Sequence, residues 1–579
     1  MPPSPSAGDR SSPDRSPDDR SPEHQSPEHQ SSGNRSTDGE SPGDRSADGR
    51  SADDRFADDR PIAASLLAAG RVLRDRPGAI LPAYLLALGV IQVASVPVLV
   101  GLAVALASLS AAGRLEPVFR ELPALADAAE SAGGPPAPTG PGIGGGVSDV
   151  PPEAIEALSG LVTPVSVGAI ALGIGGSVLV WVLARVVTGA VTQGTVWAAI
   201  DGRAPLADGL ETAGRWRTFL GLLLLRVAVL VAALLPAIAV AIGAGGLAAT
   251  GSVTGGGGTA LVGLAALLAV LLAAGGVLVG VLGQFALLFA GPAVVVDDRG
   301  TLGAARASVG FVRDHLGAAI AFGLVLVSGY VVVAIVAGLL SVVGAGRVAA
   351  PLVPLVLSPL LDTGATALYA GEGVEPADRP ATYVRVGRAF RRGVTELGRF
   401  PRKYPLATLF GGVCLAGAIG AGYLLTAPSG VSVGPPGGVS NVFGAVPIDT
   451  FATLAVNNWV VSARLAFGGV VLGVPAVVGL GFNGVLVGAL AGVYDPVAFL
   501  ALVAPHGVLE LPTVALAGGL GVHLGRVGWR ALRGRADPAV VADELQRAGV
   551  LLVGIAVLLV IAAFVEAFVT PWVAAAVIG

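Results

Sequence analysis

From about residue 79 onward, long apolar runs alternate with short clusters of charge. The apolar segments fall at about 79–109, 161–184, 218–249, 260–291, 317–345, 349–370, 405–426, 465–493, 496–525 and 548–577. Each is long enough to cross a bilayer as a helix, which takes about 20 residues. The pattern predicts an all-α, polytopic integral membrane protein with about 10–11 membrane segments.

The stretch before them is of another kind. Residues 11–60 run in five-residue units led by serine, such as SPDDR, SPEHQ and SADDR. With almost nothing apolar to bury, residues 1–60 are expected to form a disordered, low-complexity tail. No apolar stretch follows Met1 at signal-peptide distance, so the first spanning helix is expected to direct insertion.

Composition sharpens this division. The chain is 53% hydrophobic and only 13% charged, about half the charge of an ordinary soluble domain, which excludes that class. The net charge of −4 misleads, because the tail holds 14 acids and 8 arginines and leaves the membrane part slightly basic. There is no nucleic-acid footprint, and the expected partners are the lipid bilayer and other membrane or envelope proteins. Cys414 is the only cysteine, so an intramolecular disulfide is excluded.

Basic residues set the expected orientation. The loops 61–78, 201–217, 292–316, 371–404 and 526–547 hold 22 of them, and the alternate loops 111–158, 250–259, 346–348 and 427–450 hold 3. This places the N-terminus in the cytoplasm and the C-terminus outside a cell membrane. The acidic, Pro- and Gly-rich loop 111–158 then reads as a flexible external segment.

Between 427 and 526 an odd number of crossings is required. Two arrangements satisfy this: three short spans broken near Asn483 and Pro505, or one span at 465–493 followed by a re-entrant hairpin with Pro505-His506-Gly507 at its apex.

The first half, 61–370, contains an internal repeat. Residues 200–221 laid on 296–317 align Asp201 with Asp297, Arg203 with Arg299, Gly214 with Gly310, Arg217 with Arg313 and Gly221 with Gly317. A weaker third copy sits at Arg74-Asp75 and Gly78-Ala79. Each unit reads as a short amphipathic helix feeding a span, its arginines anchoring at lipid headgroups. Arg226 and Asp362 lie within apolar segments and either pair across helices or leave Arg226 to snorkel. This half loosely resembles uncharacterised archaeal multi-helix membrane domains, and more distantly the membrane domain attached to some glycerophosphodiester phosphodiesterases.

The second half, 371–579, carries sharper motifs. They are Asn457-Asn458, Gly468-Gly469 with Gly473, Asn483-Gly484 with Gly488, Pro505-His506-Gly507-Val508-Leu509-Glu510-Leu511-Pro512, Ala517-Gly518-Gly519, and the stretch from Ile561 to Pro571 around Glu566. In order and spacing these resemble the stage II sporulation protein M family from about 375 to 579. The resemblance implies a polytopic membrane protein with no enzymatic role of its own. The sporulation member of that family anchors a complex with cell-wall hydrolases during engulfment, and the extra first half and tail set this chain apart from the short family form.

A carboxylate at membrane depth costs several kcal/mol unless paired or neutral, which singles out Glu510 and Glu566. His506 stands four residues before Glu510, on one helix face, with Pro505 and Gly507 expected to mark a helix start. The candidate intramembrane polar centre is therefore Asn483, His506, Glu510 and Glu566. It reads either as a proton-sensitive or partner-sensing contact or as interhelical hydrogen bonding that holds the bundle together. A metal site would need a third converging ligand, and none is expected, nor any cofactor. Gly484, Gly488 and Gly492 form a small-residue stripe suited to close helix packing. Gly255–Gly258 lacks the ending of a phosphate loop.

The expected function is that of a non-enzymatic scaffold or anchor for an envelope-associated complex. The alternative is a transporter or permease subunit that uses the buried Glu, His and Asn in broken helices.

Overall fold

The computed structural model describes residues 62–118, 120–121, 152–249, 256–375, 378–430 and 447–578. The expected disordered tail over 1–60 lies outside the described residues, as do most of the acidic loop 111–158 and the segment 431–446.

No strand forms among the described residues. A short amphipathic helix, α1 (Ile62–Asp75), comes first. The first-half spans are α2 (Pro77–Ala111), α3 (Pro164–Ile200), α4 (Pro205–Gly246) and α5 (Thr259–Val296). After α6 (Thr301–Asp314) come α7 (Leu316–Val342) and α8 (Gly346–Ala370). The second half opens with the basic helix α9 (Thr382–Lys403) and continues through α10 (Pro405–Thr426) and α11 (Ile448–Gly468). It ends with α12 (Val474–Val493), α13 (Pro496–Leu532) and α14 (Pro538–Ile578).

Ten of these helices are long and apolar enough to cross a membrane. Leu, Val and Ile side chains stand exposed all along them, as a lipid-facing surface requires. The chain is a multi-pass membrane protein.

The predicted breaks in the second half are corrected. Neither Asn483 nor Pro505 interrupts a helix, and no hairpin forms at Pro505-His506-Gly507. The 465–493 run instead breaks at Gly469–Gly473, where Leu472 (φ 59°) and Gly473 (φ 75°) both adopt left-handed backbone. For Leu472 that conformation costs about 1–2 kcal/mol. Asp495 caps α13 ten residues before Pro505, accepting from the Val497 and Ala498 amides at 3.0 and 2.9 Å. Membrane helices carry internal prolines because neighbouring groups satisfy the freed backbone, and α13 runs through both Pro505 and Pro512. Three helices, α11, α12 and α13, therefore occupy this region. Asp449, Asn457, Asn458 and Arg464 make α11 too polar to register as an apolar run.

Glycines set the spacing of α10, α12 and α13. A Cβ on Gly488 would meet the backbone of Ile419, and one on Gly422 the backbone of Val485. The Gly484, Gly488, Gly492 stripe thus faces α10, and these two helices run side by side in the same direction. Gly525 packs in the same way on Gly473.

The basic loops meet at one end of the bundle. Arg76 donates to Ala199 O (3.1 Å), Arg71 to Val374 O (3.0 Å) and Arg215 to Val294 O (2.7 Å). Arg385 pairs with the buried Asp75 at 3.6 Å. The two repeat registers make the same ion pair, Arg203 Nε to Asp201 at 2.5 Å and Arg299 Nε to Asp297 at 3.1 Å. Arg533 stacks on Trp529 (4.1 Å) and Lys403 on Tyr404 (5.0 Å), as interfacial anchors do.

One buried core joins the halves. Ile80, Tyr84 and Val196 of the first pack in the same cluster as Phe467, Leu520, Leu545 and Ile555 of the second. A separate first-half cluster centres on Phe289, Phe311, Phe322 and Tyr369.

Arg226 and Asp362 do not pair. Arg226 donates to Leu287 O at 2.8 Å, and Asp362 accepts from the Tyr84 hydroxyl at 2.7 Å.

Candidate functional site

His506 and Glu510 are one turn apart on α13, and a π-turn at Val565–Val569 within α14 brings Glu566 toward them. The extra residue of a π-turn rotates the side chains after it, and such turns recur at functional positions. One ligand atom from each of His506, Glu510 and Glu566 lies within 4.8 Å of the others. His506 Nε2 is 3.9 Å from Glu566 Oε1.

The ring is oriented from its other nitrogen. His506 Nδ1 lies 3.4 Å from Thr570 Oγ1, whose hydroxyl donates to Val565 O at 3.2 Å. With that hydroxyl proton committed, Nδ1–H is the donor to Thr570, and a neutral ring turns its Nε2 lone pair toward Glu566. Attraction across that gap requires a shared proton or a cation. Glu566 Oε2 is buried with no hydrogen-bond partner, so the centre has unused acceptor capacity.

The centre is half-buried and lies well along the span. At 1.5 Å per residue, His506 is roughly 16 Å along α13 from its capped end, about half a hydrocarbon core. Phe451 of α11 packs on the α14 segment that carries the π-turn, with ring centroids 6.4 Å from Phe564 and 6.2 Å from Phe568.

Asn483 has a separate role. Its amide donates to Gly479 O at 2.7 Å, one turn back on α12. No metal site was expected from the sequence, yet Glu566, already named for the polar centre, converges with His506 and Glu510, and the three form a set that could hold one small divalent cation. Two carboxylates, a neutral imidazole and a divalent ion sum to zero charge, which suits membrane depth.

A second polar network escaped the sequence reading. The buried His523 Nε2 is 3.1 Å from Glu544 Oε2, and Glu544 Oε1 accepts from Arg547 at 2.6 Å. Tyr404 stacks on the His523 ring at 3.9 Å and places its hydroxyl 3.5 Å from Arg547. The only sequence signal was charge at the start of an otherwise apolar helix, in Asp543-Glu544-Leu545-Gln546-Arg547.

No curated protein and no solved structure matches the chain. The segment 406–571, which contains Asn483, His506, Glu510 and Glu566, matches the family model of stage II sporulation protein M, so the C-terminal half of this multi-pass membrane protein is similar to that family.

Proposed function

We propose that the protein is a non-enzymatic membrane scaffold or anchor that positions other membrane or envelope proteins in an envelope-associated complex. It resides in the cell membrane with its basic end cytoplasmic and its C-terminus external. The observation that carries this reading is the family match over 406–571. The polar centre inside that segment ties α13 to α14 and supplies a contact that a partner helix can read.

The test is mild-detergent purification of the tagged full-length protein beside Glu510→Ala at equal expression. A stoichiometric partner present with the parent chain and lost in the variant is the expected result. Purification of the parent chain alone would overturn the reading.

A transporter or permease subunit is the second reading, favoured by two carboxylates and a histidine that converge within the spanning region, one of them, Glu566, on a π-turn. It predicts a flux in proteoliposomes that Glu566→Gln abolishes while the protein still inserts.

A further inference from the structure

The helix α9 has two faces, and neither belongs to the polar centre. Tyr383, Val386, Phe390 and Val394 form a stripe along one side, each 44–79% exposed. The other side carries Arg385, Arg388, Arg391, Arg392 and Arg399 with a single acid, Glu396. Gly393 pins the helix to α14, since a Cβ there would meet the Gly554 and Val550 backbone. Lys403 and Tyr404 lead directly into α10, so α9 sits where spans enter the bilayer.

Between α9 and α14 lies an open groove of about 570 Å³, lined by Arg388, Arg391, Arg392, Arg399 and Arg547, with Glu396 as its only acid among the described residues. Arg399 is held by Glu396 at 3.5 Å and Arg547 by Glu544 at 2.6 Å. Arg388, Arg391 and Arg392 have no carboxylate within ion-pair distance among the described residues. Three uncompensated guanidinium groups facing one cavity repel one another unless an anion sits between them.

We propose that this groove binds the phosphate headgroup of an anionic phospholipid, with α9 lying in the membrane interface. The exposed apolar stripe enters the acyl boundary, as interfacial amphipathic helices do. The groove then holds the phosphate through the forked donors of arginine, which match phosphate oxygens two at a time. A soluble phosphate would use the same arginines and leave the stripe uncovered, so the lipid is the occupant that satisfies both faces.

The test uses the full chain in nanodiscs of phosphatidylcholine, titrated with spin-labelled phosphatidylglycerol, with spin-labelled phosphatidylcholine as the reference lipid. The expected result is a saturable, motionally restricted component for phosphatidylglycerol alone, unchanged by 10 mM inorganic phosphate, a concentration of the order of ordinary buffers. Changing Arg388, Arg391 and Arg392 together to Gln should weaken it roughly a hundredfold, about fivefold per charge removed. Changing the same three to Lys keeps the charge and loses the fork, so it should weaken binding less than the Gln changes do, and it controls for folding. Equal restriction of both lipids, an unchanged triple Gln variant, or displacement by inorganic phosphate would each overturn the proposal.

Discussion

The Tyr84 hydroxyl donates to Asp362 Oδ2 at 2.7 Å, joining α2 to α8 across 278 positions of sequence. Tyr84 is 4% exposed, so water cannot replace it as donor. Tyr84→Phe should lower stability by about 1–3 kcal/mol, the penalty for a buried acceptor left without a partner. Tyr84→Phe combined with Asp362→Leu should recover most of that loss. Thermal unfolding in detergent checks both, and a double variant less stable than the single one would contradict the account.

Glu544 holds two groups at once, His523 and Arg547. Glu544→Gln removes the charge that both partners face and should cost about 1–3 kcal/mol. Glu396→Gln, at the rim of the same region, should cost under about 1 kcal/mol, as exposed pairs do. Comparable losses in the two unfolding midpoints would show that the His523 network is not the tighter one.

Glycine positions divide by what surrounds them. Gly488→Ala drives a methyl into the Ile419 backbone and should destabilise by about 1–3 kcal/mol. Gly481→Ala, with nothing within 4 Å of the added carbon, should be neutral or stabilising by up to about 1 kcal/mol through helix propensity. Parallel melts of the two variants decide the matter.

The break at Gly469–Gly473 has a topological signature. In a Cys414→Ser background, Leu472→Cys and Gly534→Cys should react with an impermeant maleimide from the same side of the membrane. Ala427→Cys should react from the other, and in intact cells it alone should label under the proposed orientation. Labelling of Leu472→Cys together with Ala427→Cys would refute the three-helix arrangement.

The membrane segments were legible because a spanning helix is written in twenty or more consecutive apolar positions, and 405–426 coincides with α10 residue for residue. What failed was punctuation. Pro505 looks like a breaker in water, yet inside a bundle a continuous helix tolerates it, whereas the true turn is built on Leu472, a residue with no turn preference. The first turns of α11 were lost because Asp449, Asn457 and Asn458 dilute its apolarity. At the polar centre, the spacing of His506 and Glu510 was readable from a helical repeat. Their approach to Glu566 depends on a π-turn that local sequence does not announce. The pairing of Asp362 with Tyr84 was equally hidden, since it depends on how α2 and α8 cross.

The unbroken course of α13 joins two polar sites. His506 at mid-depth and His523 at the basic end share one helix, 17 residues and roughly 26 Å apart at 1.5 Å per residue. Pro512 lies between them, and the helix carries both histidines on one element. The polar centre and the network of His523 with Tyr404, Glu544 and Arg547 are thereby built on the same helix.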